Sequence, residues 1–173
     1  KFPWLKDKKI LMTWKHGKTG IPIVDAGMKE LYEMGWMHNR VRMIVGSFLT
    51  KNLLLHWKEG ERWFFDTLVD ADIGSNSAGW QWISGSGADA SPYFRIFNPI
   101  LQGKKFDPKG EYVKKFLPSL NRIPEKFIHS PWEMSIDEQE KYNFKLGRDY
   151  PKPIVDLSDT RKRALAAFKK ISV

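Results

Sequence analysis

No stretch of this chain alternates apolar and polar residues over the length of a β-strand, whereas apolar positions recur at helical spacing through its first half, so the expected fold is all-α. The clearest segment is PIVDAGMKELYEM. Pro22 stands where a first helical turn tolerates it, Gly35 follows as a C-cap, and Ile23, Ala26, Leu31 and Met34 fall near one face. A second helix is expected over 39–58, carried by Val41, Ile44, Val45, Phe48, Leu49 and Leu53 and ended by Gly60. A third is expected over 61–72, with Phe64, Thr67, Leu68 and Ala71 on its buried side. Residues 73–92 change character. The run GSNSAGWQWISGSGADASP, rich in Gly, Ser and Ala, reads as a long irregular loop, with room for a short helical turn, that holds Trp80 and Trp82. Short helices follow near Gln102 and over 109–116. A charged, proline-bounded stretch over 131–153 is expected to wrap the surface, and a last helix to start after Asp159 as its N-cap.

Length and charge narrow the class. The 173 residues suit one domain, and the apolar content suits a packed core rather than disorder. There is no run of about 18 apolar residues that could span a bilayer. There is no cysteine, which excludes disulfides, thiolate metal sites and cysteine nucleophiles and fits a reducing, intracellular setting. No signal peptide is visible, and the start at Lys1 rather than Met suggests an internal or processed piece. The net charge of +9 favours polyanions such as nucleic acid, and 8 Trp are far more than a chain of this size ordinarily carries. Basic and Trp-rich composition serves a packed core and a base-stacking surface equally well.

Three constellations could carry chemistry. In GWMHNRVRM, Asn39, Arg42 and Met43 are spaced to share one helical face, with Arg40 pointing elsewhere. A helix opening with His, Asn and two Arg suits phosphate, but it is also an ordinary solvated first turn. In LVDADIGSN, Asp70 and Asp72 fall at an expected helix C-terminus, where the macrodipole disfavours them, so an arginine or a ligand should compensate. An Asp-x-Asp metal site is a weak alternative, and pairing with Arg40 or Arg42 from the neighbouring helix is the simpler arrangement. Among the tryptophans, Trp57 is expected at a helix end, and Trp80-x-Trp82 in a Gly/Ser loop is hard to explain by a core alone.

These residues carry a resemblance. WKHGKTGIPIVDAGMKEL, GWMHNRVRM, FLTKNLLLHWKEGERWF, DADIGSNSAGWQWISGSGADASPYFRIFNP and KKFDPKGEYVKKFLP, in this order, resemble the C-terminal half of the helical FAD-binding domain of the photolyase/cryptochrome family. His38-Asn39-Arg40 with Asn76 is most similar to the class I cyclobutane pyrimidine dimer photolyases. The resemblance implies that Asn39, Arg42, Asp70 and Asp72 are flavin contacts, with Arg42 and Asp70 paired and Asn76 facing flavin N5. Trp80, Trp57 and Trp4 resemble the electron-transfer chain, from the flavin outward. Asn39, Met43 and Trp82 resemble lesion-pocket residues for a dimer flipped from the duplex, and Arg40, Arg95 and Lys105 resemble phosphate contacts.

The implied activity is light-driven DNA repair, in which reduced FAD splits the dimer by electron transfer. By the same resemblance, residues 1–173 form a single partial FAD-binding domain. The first half of the helical domain and the N-terminal domain that would bind an antenna chromophore are then absent. UV-damaged DNA and the absent part of the enzyme, or a second copy meeting an exposed apolar face, are the expected partners. Two alternatives stay open: a cryptochrome-like blue-light photoreceptor with the same flavin and tryptophans, and a basic nucleic-acid-binding piece without flavin.

Overall fold

The computed structural model describes residues 2–93 and 95–170. Among them are nine α-helices and no β-sheet, in line with the all-α expectation. α1 (Lys8–Lys15) opens on Asp7, whose carboxylate accepts from the Ile10 N–H at 2.9 Å. α2 (Pro22–Met34) has the limits its sequence announces, with Pro22 in the first turn and Gly35 at φ 64° closing it. Ile23, Ala26 and Leu31 are buried, while Met34 is exposed.

The helix expected over 39–58 is two helices. α3 (Asn39–Ser47) runs into a π-helical turn (Phe48–Asn52). Leu54 then takes a left-handed φ of 51°, and α4 (Trp57–Thr67) starts afresh on His56 as N-cap. Leu53, Leu54 and Leu55, between the π-helical turn and α4, are all buried. Trp57 therefore begins a helix rather than ending one, Gly60 lies inside α4, and the helix expected over 61–72 is the second half of α4.

Residues 73–84 are not a loop either. α5 (Ile73–Ser84) is 12 residues long, opened by Asp72 and closed by Gly85 at φ 77°. Its Gly and Ser disfavour a helix by propensity, but packing wins, because Trp80 and Ile83 are buried where α5 lies against α3 and α4. α6 (Pro99–Phe106) is capped by Asn98, and α7 (Glu111–Phe116) packs on α2. After three short 3-10 turns come α8 (Ile136–Lys141) and α9 (Leu157–Lys169). The cap of α9 is Asp156 rather than Asp159: the Asp156 carboxylate accepts the Asp159 N–H at 2.8 Å.

The stretch over 131–153 does more than wrap the surface. Phe144 and Tyr150 enter the core, and the Tyr150 hydroxyl donates at 2.6 Å to Asp25, buried on α2. Asp25 also accepts from the backbone N–H groups of Thr19 at 2.8 Å and Gly20 at 2.9 Å, so one carboxylate ties the start of α2 to a segment far along the chain. Among the described residues no helix is long and apolar enough to cross a membrane.

Candidate functional site

A cavity of about 470 Å³ opens between α3, the end of α4 and α5. Its size lies in the range of small-molecule and cofactor sites. α3 contributes Asn39, Arg42 and Met43 from one face, as their spacing predicts. The α4–α5 connection contributes Asp70 and Asp72, and α5 contributes Asn76, Trp80 and Trp82. The floor is apolar, with Phe64, Leu68 and Ile83, and small residues on α3 and α5, Gly46 and Gly79, leave it open.

The two acids have different local reasons from those the sequence suggested. α4 ends before Asp70, and Asp72 sits at the N-terminus of α5, where a carboxylate is favoured. Asp72 accepts from the Ser75 N–H at 2.7 Å, and hydrogen bonds from Ser75 hold its carboxyl below the usual range. Asp70 takes the expected arginine: one Arg42 guanidinium nitrogen reaches its two oxygens at 3.1 and 2.9 Å. The Arg42 Nε–H donates to the Met37 carbonyl at 2.6 Å, which fixes the guanidinium across the cavity edge.

On α5, the Asn76 amide nitrogen donates at 2.9 Å to the Glu61 carbonyl of α4. Its carbonyl oxygen is then the acceptor left for a ligand donor. The cavity joins an apolar, aromatic floor to an edge of amides and carboxylates. That composition fits a flat ring with polar edge atoms, such as a flavin.

Trp80 is buried at the floor, and its ring meets Phe64 edge-on at 4.9 Å and Trp14 edge-on at 6.2 Å. Trp57 and Trp4 lie outside the cavity lining and are linked by His56, 5.6 Å from Trp57 and 5.1 Å from Trp4. Burial and the neighbouring Lys58 ammonium push His56 below the ordinary imidazole value. Arg40 and Lys105 also lie outside the lining, each against the Phe106 ring, and Arg95 is exposed. Sequence reasoning passed over Trp14, the ring neighbour of Trp80. It also misread Gly60, on which the Trp80 ring rests; a flat ring in close contact with a helix leaves room only for glycine.

A Cβ added at Gly60 would overlap the Trp80 ring. Gly60→Ala is therefore expected to lose about 1–3 kcal/mol of stability through overpacking, in spite of the better helix propensity of Ala. Urea unfolding followed by tryptophan fluorescence checks this, and an unchanged midpoint would mean that the ring is not seated there.

Large apolar side chains are exposed close to the acidic end of the cavity. Val69 packs beside Gly35, next to Trp36, and Phe65 and Ile73 share a shallow depression with the far side of Asn76.

A family model described as the FAD binding domain of DNA photolyase matches residues 1–170. The chain is 58% identical over 170 residues to the deoxyribodipyrimidine photo-lyase of Agrobacterium fabrum, covering 98% of this chain and 36% of that protein. It is 50% identical over 165 residues to cryptochrome-2 of Arabidopsis thaliana, covering 95% and 27%. It superposes on a bacterial class III photolyase from Agrobacterium tumefaciens with a TM-score of 0.96 and 57% identity, covering 99% of this chain and 36% of that one. The chain thus spans roughly a third or less of the length of each of these relatives.

Proposed function

The chain belongs to the FAD binding domain family of DNA photolyase, and from that premise we propose that it supplies one wall of an FAD site used for light-driven splitting of cyclobutane pyrimidine dimers in DNA. The observation that carries the reading is a convergence. Eight residues chosen from the sequence, Asn39, Arg42, Met43, Asp70, Asp72, Asn76, Trp80 and Trp82, line a single cavity. The substrate class is taken from the relatives named deoxyribodipyrimidine photo-lyase. The reading commits to that substrate rather than to a class number, because class I features in His38, Asn39, Arg40 and Asn76 stand in a chain 57% identical to a class III structure.

In this reading the chain binds and orients, and FAD, when bound, supplies the light-driven electron. Arg42, held by Asp70 and the Met37 carbonyl, fixes the polar edge of the ring. Asp72 and the Asn76 carbonyl oxygen accept from ring or ribityl donors. Trp80, an indole in the cavity lining, would be an electron donor to bound flavin, with Trp57 and Trp4 as the further members of the series that the family resemblance implies. Asn39, Met43 and Trp82 meet the extruded pyrimidines, with Trp82 offering its face and Met43 a soft apolar wall. Arg40, Arg95 and Lys105 hold phosphates, which gives part of the +9 charge a purpose.

The test is a visible absorption spectrum after incubation with FAD and desalting. A retained flavin band is expected, with FAD affinity falling about tenfold in Arg42→Ala through loss of charged hydrogen bonds. Absence of a band at any FAD concentration, or identical retention by Arg42→Ala, would remove this site from the reading. The cryptochrome reading is favoured by one observation, the 50% identity to cryptochrome-2. It predicts flavin retention and photoreduction without any loss of dimers from a dimer-containing oligonucleotide under blue light.

A further inference from the structure

Phe106 closes α6 with its ring exposed to solvent, an unusual place for an aromatic side chain without a partner. The ring is not idle. The Arg40 guanidinium carbon lies 4.7 Å from its centroid and the Lys105 ammonium 5.3 Å from it. Arg40 comes from the first turn of α3 and Lys105 from the last turn of α6, so the ring gathers cations from two helices. Among the described residues neither cation has a carboxylate partner. Two like charges repel, and a ring whose π system attracts both offsets that cost.

The ring is also held firmly from behind. The next residue, Asp107, is buried, and its carboxylate accepts from the N–H groups of Tyr112 at 3.1 Å and Val113 at 3.0 Å. The Asp107 carbonyl meets the His129 ring nitrogen at 2.6 Å, and its N–H donates to the Gly103 carbonyl at 2.8 Å. The backbone that carries Phe106 is therefore pinned at a helix end while its side chain faces outward. On the other side, His38 receives the Arg40 N–H at 3.1 Å, and the adjacent Asn39 lines the cavity.

We propose that Phe106 is a positioning residue for DNA: its ring confines Arg40 and Lys105, from two helices, as a clamp on the phosphate backbone at the cavity mouth. This rests on the reading of Arg40 and Lys105 as phosphate contacts and adds what orders them. Long cationic side chains lose rotamer freedom when they grip a phosphate, and a ring that already confines them reduces that loss. The ring acts through the cations and reads no sequence, so damaged and undamaged duplexes feel it equally.

Fluorescence anisotropy with a duplex carrying one thymine dimer, and with its undamaged twin, over a series of salt concentrations tests this. Arg40→Ala and Lys105→Ala are each expected to lower the slope of log affinity against log salt by about 0.9, one phosphate contact. Phe106→Leu keeps apolar bulk and removes the π face, and should weaken both duplexes by about three- to tenfold. In a background lacking both cations Phe106→Leu should change nothing further, and Phe106→Trp should keep wild-type affinity because indole is the better cation partner. A purely structural ring would weaken binding in either background, and that result overturns the proposal, as does unchanged binding by Phe106→Leu. If the wild type binds neither duplex, or the two cation variants bind as tightly as the wild type, the DNA interface itself falls and the clamp with it.

Discussion

Replacing Trp80 by Ala is expected to lower the unfolding free energy by about 3–5 kcal/mol, the range for emptying a large aromatic from a core. The ring is buried, meets Phe64 at 4.9 Å and Trp14 at 6.2 Å, and rests on the bare backbone of Gly60 in α4. It also fills the floor of the cavity, so its loss merges the new void with space that is already open and leaves little for the surroundings to collapse onto. Urea unfolding measures this directly. A loss below about 1 kcal/mol would mean that the site collapses and that Trp80 is not part of the framework. Trp80→Phe separates packing from chemistry. Phenylalanine keeps the edge-on contact with Phe64 and most of the apolar area, but its ring is far harder to oxidise than indole. Flavin retention with loss of light-driven reduction is the expected outcome. Undiminished reduction in Trp80→Phe would move the electron donor to another ring.

The sequence made α2 legible because its ends carry chemistry of their own, a proline that suits a first turn and a glycine that can take a left-handed φ. The break after Asn52 has no such mark. Its leucines continue an apolar pattern, and the left-handed turn at Leu54, where Leu53, Leu54 and Leu55 are all buried, depends on contacts made elsewhere in the chain. α5 was hidden for the opposite reason. Its Gly and Ser content argues locally for a loop, and only burial of Trp80 and Ile83 against α3 and α4 stabilises it. That error propagated to the acids: with α5 read as loop, Asp72 fell at a helix C-terminus instead of capping an N-terminus. The helical spacing of Asn39, Arg42 and Met43 was legible without any resemblance. The roles of Asn76, Trp82 and the three-tryptophan series came from the resemblance alone, since no periodicity distinguishes them. Trp14 and Phe106 escaped because their importance lies in ring contacts across the fold.

Lys51 was equally invisible, because a lysine at a helical position ordinarily reads as solvated. Here it is fully buried in the π-helical turn. Its ammonium donates to the Ser84 carbonyl at the end of α5 at 3.1 Å and lies 3.4 Å from the centroid of the Tyr93 ring. Those contacts favour the charged form, but among the described residues no carboxylate pairs with it, and desolvation wins: burial pushes the ammonium down to about 7. The unfolded chain keeps the ordinary value near 10.4. Between these limits the unfolded state holds a proton that the folded state has released, so stability rises with pH across this window. The slope from this one group is at most about 1.4 kcal/mol per pH unit, and below pH 7, where both states are protonated, it vanishes and the burial penalty stands in full. Lys51→Met keeps the length of the side chain and removes the titration. The unfolding free energy of the wild type should therefore gain on that of Lys51→Met by roughly 2–3 kcal/mol from pH 7 to 9.5. Parallel curves would show that the carbonyl of Ser84 and the ring of Tyr93 compensate the burial and keep the ammonium charged. In that case Lys51 is a permanent buried cation at the C-terminus of α5, where the helix dipole favours it.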